Sequence, residues 1–373
     1  MKIALLSDCY PPRLGGIETQ VRDLGRALAG AGHEVHVYTA TPAEGAGHGL
    51  RNIAVSEDEG AIVHRVTVPL PFDLPVNPLA PRLIRDELAK FDVAHVHMGV
   101  ISPFAADLTE LALELGLPTA ITWHCVLGRS AVLAQRRLGR IAGWAQRGAA
   151  LSAVSKMAAG LVEAAADHGA KVAVLPNGID PSRWAPEAVV PGPRDQVRLM
   201  SALRFAPRKR VPALVGMLGE IHAADPARTR ATVFGDGPLL GMTRAIHRRH
   251  RTWLDLPGRV ARADLADAYL AGGIYLAPTR MEAFGIAALE ARTAGLPVVA
   301  MSTSGVADFV IDGVNGLLAR DDAGLVAAGR KLVADEDLRE RIRAHNLTVA
   351  PEQTWTAVLE KAIAEYERAG ASR

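Results

Sequence analysis

Apolar positions along the chain fall into short continuous or alternating runs, and between them apolar residues recur every third or fourth place. The first pattern predicts strands buried in a sheet and the second predicts amphipathic helices. In the first half the predicted strands are Lys2–Ser7, Glu34–Thr39, Ile62–Thr67, Val93–Val96, Pro118–Thr122, Ala150–Val154 and Val172–Leu175. Helices are predicted between them at Ile17–Ala31, Phe104–Leu115 and Ser130–Arg147, with Gly32 placed to end the first in a left-handed conformation. A stretch containing Pro176, Pro181, Pro186, Pro191, Gly192 and Pro193 shows no periodicity and is read as a linker. Beyond it the alternation restarts, with strands near Val197–Leu203, Ala231–Phe234, Thr252–Asp255, Ile274–Leu276 and Val298–Ala300. A last helical pattern covers Gln353–Arg368.

Strands alternating with helices imply an α/β chain of two doubly wound, parallel-sheet domains. The expected division is residues 1–180, residues 181–352, and a C-terminal helix in 353–373 that can pack back on the first domain. The length of 373 residues suits two such domains.

In open parallel sheets, ligands collect beyond the carboxyl ends of the strands. Ser7 and Asp8 follow the first predicted strand, and Gly15-Gly16 then opens a helix. His97, His124, Ser155 and Asn177-Gly178 follow later strands of the first half. In the second half Arg204, Gly235-Asp236-Gly237 and Glu282 occupy the same kind of place. Polar and glycine-rich residues therefore gather at one edge of each sheet.

Gly15-Gly16 can bring bare backbone N–H groups to an anion at a helix start, although a plain tight turn is the better explanation of a lone Gly-Gly. A G-x-G-x-x-G dinucleotide fingerprint is absent there. Arg204, Arg208, Lys209 and Arg210 form a basic cluster against the dipole of the helix they precede, which suits a diphosphate better than it suits the helix. Glu282-Ala283-Phe284-Gly285 leads into another helix, and Glu290 lies within it among Ala288, Leu289, Ala291 and Ala294. Its apolar setting argues against a solvated surface charge. His95, His97 and His124 lack the carboxylate or thiolate company of a metal site and are expected to hydrogen-bond instead. No metal and no cofactor are expected, and Cys9 and Cys125 are expected to be packing residues.

Taken together and in order, these segments resemble the retaining glycosyltransferases of family four. They are Gly15-Gly16-Ile17-Glu18, Pro176–Asp180, the Arg204 and Lys209 pair, Gly235–Pro238, Glu282 and Glu290 with Phe284-Gly285, and Gly295–Ala300. The resemblance spans nearly the whole chain and implies the GT-B fold, two Rossmann-like domains facing a central cleft. The opening from Ser7 to Glu18 is similar to enzymes that glycosylate phosphatidylinositol. By motif, Arg204 and Lys209 would neutralise the diphosphate of a nucleotide-sugar donor, and Gly15 and Gly16 would offer it backbone. Gly235 belongs to the donor side, and Glu290 would hold the ribose. Glu282 with Phe284 and Gly285 would position the sugar, and His124 would meet it from the first domain. Arg210 stands where the family commonly has glycine, and Asp308 where it often has glutamate.

The implied reaction moves a hexose-type sugar, with retention, to an acceptor hydroxyl on a small molecule or an inositol-containing lipid. A GT-B sugar-nucleotide epimerase and a non-catalytic two-lobed sugar-binding protein are the competing readings. Forty-two basic against forty acidic residues give a net charge of +2, which excludes a general nucleic-acid binder. Two cysteines and the lack of a leader pattern or a spanning apolar run point to the cytoplasm. A basic amphipathic helix over Arg129–Arg147, in which Arg136, Arg140 and Arg147 can share one face, suits peripheral contact with an anionic membrane. An ordinary helix covering the sheet with solvated arginines outside explains the pattern at least as well.

Overall fold

The computed structural model describes residues 1–13, 15–44, 53–68, 75–185 and 196–372. Leu14 of the opening motif and Pro186, Pro191, Gly192 and Pro193 of the expected linker lie outside them. The chain divides into two compact units, Met1–Gly178 with Trp355–Arg373, and Ile179–Thr354.

The first unit runs β1 Lys2–Ser7, α1 Gly16–Gly30, β2 Glu34–Thr39, β3 Ile53–Asp58, β4 Ala61–Val66, α2 Ala80–Leu88 and β5 Val93–Met98. It continues through α3 Pro103–Glu114, β6 Thr119–Trp123, α4 Arg129–Leu138, α5 Arg140–Gln146, β7 Ala150–Ala153, α6 Lys156–Ala165 and β8 Val172–Val174. The sheet order is β3-β4-β2-β1-β5-β6-β7-β8. All pairings are parallel except β3 with β4. The order reverses direction between β1 and β5, the switch point of a doubly wound sheet.

Alternation along β1 explains the two layers. Ile3 and Leu5 face a cluster with Val21, Leu24 and Leu28 of α1, whereas Ala4 and Leu6 face one built with Phe104 and Leu108 of α3. Gly32 adopts φ +87° just past α1, and its N–H caps the Ala29 carbonyl at 2.9 Å. The C-terminal helix of the chain joins the first cluster through Val358, Ala362 and Tyr366.

The second unit runs β9 Val197–Ala202, α7 Val211–Ala224, β10 Thr229–Phe234, α8 Leu240–Ile246, β11 Leu254–Gly258, α9 Arg262–Leu270 and β12 Ile274–Ala277. Then come α10 Ile286–Thr293, β13 Val298–Met301, β14 Gly316–Ala319, α11 Asp322–Ala334 and α12 Glu336–Thr348; α13, Trp355–Arg368, returns to the first unit. Its sheet is ordered β11-β10-β9-β12-β13-β14 and is wholly parallel, with the switch point between β9 and β12. This is the strand order of a dinucleotide-binding domain.

Three features depart from the sequence pattern. The helix expected over Ser130–Arg147 is two helices, because Gly139 sits at φ +65° and ends α4 before α5 begins. Arg136, Arg140 and Arg147 therefore do not share one helical face: Arg136 pairs with Asp167, Arg140 lies over Trp144, and Arg147 pairs with Glu110. β3 escaped prediction because most of its residues are exposed, leaving no buried alternation to detect. β14 is a short run, Gly-Leu-Leu-Ala, hidden between polar turns.

Candidate active site

In the second unit the chain leaves β9 through Leu203 and exposed Arg204, then buries Phe205. A single 3-10 turn over Pro207–Lys209 follows, and Arg210 leads into α7. Gly235-Asp236-Gly237 folds over this segment. A Cβ on Gly235 would stand 2.0 Å from the Leu203 carbonyl oxygen, and one on Gly237 would stand 2.7 Å from that of Phe205. The Gly235 N–H donates to the Gly258 carbonyl at 2.8 Å. Gly235 thus anchors the loop that carries Arg204, and its amide is engaged within the fold rather than offered to a ligand.

Across the switch point, Glu282 arrives on the loop after β12. Lys209 Nζ meets its Oε2 at 2.5 Å, with both side chains about one-fifth exposed. Two of the predicted residues, distant in sequence, are therefore in direct contact at the carboxyl edge. Phe284 is buried against Phe309, with ring centroids 5.4 Å apart. Gly285, at φ +91°, opens α10, and a Cβ there would collide with Val306 at 2.4 Å. The first amides of a helix have no partner within it, so this glycine start presents N–H donors and the positive end of the dipole. Asp308 ends the 3-10 turn Gly305–Asp308, whose Gly305 N–H holds the Glu282 carbonyl at 2.8 Å.

Glu290 lies within α10 at 6% exposure, and Arg262 Nη2 reaches its Oε1 at 3.1 Å. The Arg262 guanidinium in turn lies over the Trp184 ring at 5.6 Å. Sequence reasoning missed Arg262. It is one arginine at a helix start, with no local signal of a partner 28 positions away.

In the first unit Gly15 is extended and precedes α1. Glu18 curls back so far that a Cβ on Gly15 would sit 2.2 Å from its Oε2, whereas one on Gly16 would meet nothing. The start of α1 is therefore shared with a buried carboxylate, and Gly16 is its open edge. Asp8, buried after β1, accepts from the N–H groups of Phe104 and Ala105 at 3.1 and 3.3 Å. It caps α3 from a distance, and burial pushes its carboxyl up to about 6 despite those bonds.

His124 follows β6, with its Nε2 2.9 Å from Nδ1 of His97. Burial drives His124 down to about 4, His95 to about 3 and His97 well below the usual imidazole range, so all three are neutral at pH 7. With Gln20 and Asn177 they line a small cavity of about 20 Å³. Gln20 also grips both the N–H and the carbonyl of Gly178. A Cβ on Gly178 would strike the Trp355 ring, so docking of α13 requires glycine there. Ser155 caps α6 by accepting from the Ala158 N–H. Burial lifts the Cys9 thiol to about 11, and Cys125 is buried. Among the described residues no three His, Cys, Asp or Glu side chains converge on a possible metal position.

The sequence profile described as Glycosyltransferase Family 4 matches residues 14–183, and that described as Glycosyl transferases group 1 matches 196–335. A D-inositol 3-phosphate glycosyltransferase of Stackebrandtia nassauensis is 31% identical, over 94% of this chain and 86% of that relative. The chain belongs to glycosyltransferase family 4. A phosphatidyl-myo-inositol mannosyltransferase of Mycolicibacterium smegmatis is 28% identical to this family 4 chain, over 95% of it and 90% of the relative. The crystal structure of Anabaena HepE in complex with UDP superimposes with a TM-score of 0.75 at 17% identity, covering 98% of this chain and 100% of that one. The fold is therefore GT-B, and the family member is a glycosyltransferase that draws on a nucleotide-sugar donor. These relatives are transferases, which does not favour the epimerase reading.

Proposed function

We propose that the enzyme transfers a hexose from a nucleoside-diphosphate sugar to an acceptor hydroxyl with retention of the anomeric configuration, and that the acceptor carries inositol, free or as a lipid. The observation that carries the donor half is the contact of Lys209 with Glu282 across the switch point between β9 and β12, with exposed Arg204 on the same loop as Lys209.

As the bond between the anomeric carbon and the diphosphate oxygen breaks, its electron pair passes to the diphosphate. Arg204 and Lys209 stabilise that charge with charge-assisted hydrogen bonds, and the amides at the start of α10 add the helix dipole. Glu282 holds the Lys209 ammonium at the edge. When donor binds, the carboxylate is freed to accept from sugar hydroxyls while the lysine turns to phosphate. Glu290, oriented by Arg262, accepts from the ribose hydroxyls. His124, neutral and held by His97, is the first unit's own candidate for a hydrogen bond to a sugar hydroxyl. The acceptor oxygen attacks on the face the diphosphate leaves, and its proton departs with the leaving group. With the leaving charge met by side chains and backbone, the reaction needs no metal.

The inositol acceptor rests on relatives named for inositol 3-phosphate and phosphatidylinositol acceptors. Incubation with UDP-, GDP- and ADP-sugars and either myo-inositol phosphates or phosphatidylinositol vesicles, with products read by mass spectrometry and their anomeric configuration by NMR, tests the assignment. A glycosylated inositol whose anomeric coupling matches the donor, formed equally in excess EDTA, is the expected product. Inverted product, or strict rescue by a divalent metal, overturns the corresponding part.

A further inference from the structure

Among the described residues, four that are not glycine adopt a left-handed backbone: Glu59, Asp167, His168 and Arg210. The first stands beside Gly60 in the turn between β3 and β4, and the next two follow the end of α6. Arg210 is different. It stands immediately before α7 at φ +59° and directly follows Lys209. Glycine meets such a conformation without strain, so backbone geometry alone does not account for arginine there.

Its side chain does. Nη1 donates to the Pro278 carbonyl at 2.9 Å, just beyond β12. Nη2 donates to Asp322 Oδ2 at 2.5 Å, at the start of α11, which follows β14. Arg280 takes the other Asp322 oxygen at 3.1 Å. The Arg210 side chain is 24% exposed. One guanidinium thus ties together the chain ends leaving β9, β12 and β14. Both terminal nitrogens are engaged by protein acceptors, so Arg210 acts through its neighbour rather than on a ligand.

We propose that Arg210 is a positioning residue: its latch to Asp322 and Pro278 fixes the Pro207–Lys209 turn so that Lys209 presents its ammonium to the donor diphosphate. The inference rests on the reading of Lys209 given above. A lysine is a point charge on a flexible stem, and its aim depends on how firmly its backbone is held.

Arg210→Gly keeps the backbone conformation and removes the latch, and Asp322→Asn weakens the latch from the other end. Binding of UDP, GDP and ADP to the full chain is measured by calorimetry across a salt series, with amide exchange over residues 205–212. For the tightest nucleotide, Arg210→Gly is expected to weaken binding about tenfold, or about 1.4 kcal/mol. The salt dependence should flatten and amide exchange around Lys209 should quicken. Asp322→Asn should weaken binding in the same direction, and the double variant should bind no worse than Arg210→Gly alone, because both remove one interaction. Should Arg210→Gly melt early, Asp322→Asn carries the test, since it leaves the Pro278 bond in place. Native affinity in both variants, alongside weakened binding by Lys209→Ala, overturns the latch and leaves the clamp standing. Native affinity in Lys209→Ala overturns both.

Discussion

At the scale of single residues, the edge proposed to hold the donor separates groups engaged by the fold from an exposed arginine. Arg204 is exposed on the loop after β9, whereas Lys209, Glu290 and Arg210 already have protein partners. Arg204→Ala should therefore leave the melting temperature of the ligand-free enzyme almost unchanged. It should lower nucleoside-diphosphate affinity at least tenfold, since each charge-assisted hydrogen bond is worth roughly 1.5–3 kcal/mol. Paired calorimetry and thermal melts check this, and unchanged affinity refutes the clamp. Gly305→Ala should do the opposite. Its Cβ would stand 2.0 Å from the Ala283 carbonyl oxygen, so the turn must shift and the Glu282 loop with it. An early melt and lost turnover are expected together. Lys209, Glu282 and Glu290 were legible in sequence because charge at a strand end or inside an apolar helix is anomalous locally. Arg262 and Asp322 were not, since each is ordinary in its own segment and gains meaning only from a partner brought in by the fold. Arg210 and Asp322 lie 112 positions apart.

At the scale of elements, most buried strands were legible to within a few residues because parallel sheets covered on both faces leave unbroken apolar runs. Buried β14 was nonetheless missed, and β11 runs Leu254–Gly258 rather than Thr252–Asp255. The exposed edge strand β3 had no such run. The split of α4 from α5 was likewise unread, because a glycine inside a helical pattern does not announce whether it will turn left-handed. That split changes where a membrane contact would lie. No residue of α4 is buried; Leu133 and Leu138 are 49% and 71% exposed, and Arg129 and Arg137 are exposed beside them. Arg136 is exposed too, but its ion pair with Asp167 already offsets its charge. Peripheral binding through α4 alone predicts flotation with vesicles containing anionic lipid and not with neutral ones. Arg129→Glu combined with Arg137→Glu should abolish it, while Arg147→Glu should leave it intact. Absence of binding at low salt assigns the acceptor to solution and leaves the donor chemistry untouched.

At the scale of the whole molecule, the two units share a strand-order logic but differ in buried titratable groups, and that difference predicts which yields first to acid. His95, His97 and His124 are held neutral inside the first unit, with His95 at about 3 and His124 at about 4. In the unfolded chain each would titrate near 6.5. The folded pKa is depressed, so the unfolded state binds the proton first. Stability is complete above about pH 6.5 and falls as pH drops toward 4, by about 1.4 kcal/mol per pH unit for each such histidine. Asp8 works the other way. Its folded carboxyl takes a proton near 6, before the unfolded value of 3.8, so between those limits it adds stability as pH falls and offsets about one histidine. In the second unit His222 and His247 are only partly buried, and that burial lowers both. Pulsed amide exchange at pH 7, 5.5 and 4.5 should therefore show β5 and β6 losing protection before β9 and β12. His95→Asn, which removes one titration and keeps a polar side chain beside Thr122 and Tyr366, should reduce the slope of first-unit stability with pH. An unchanged slope in His95→Asn would mean that His95 takes up its proton equally in the folded and the unfolded chain, and the reading of a neutral histidine cluster would fall with it.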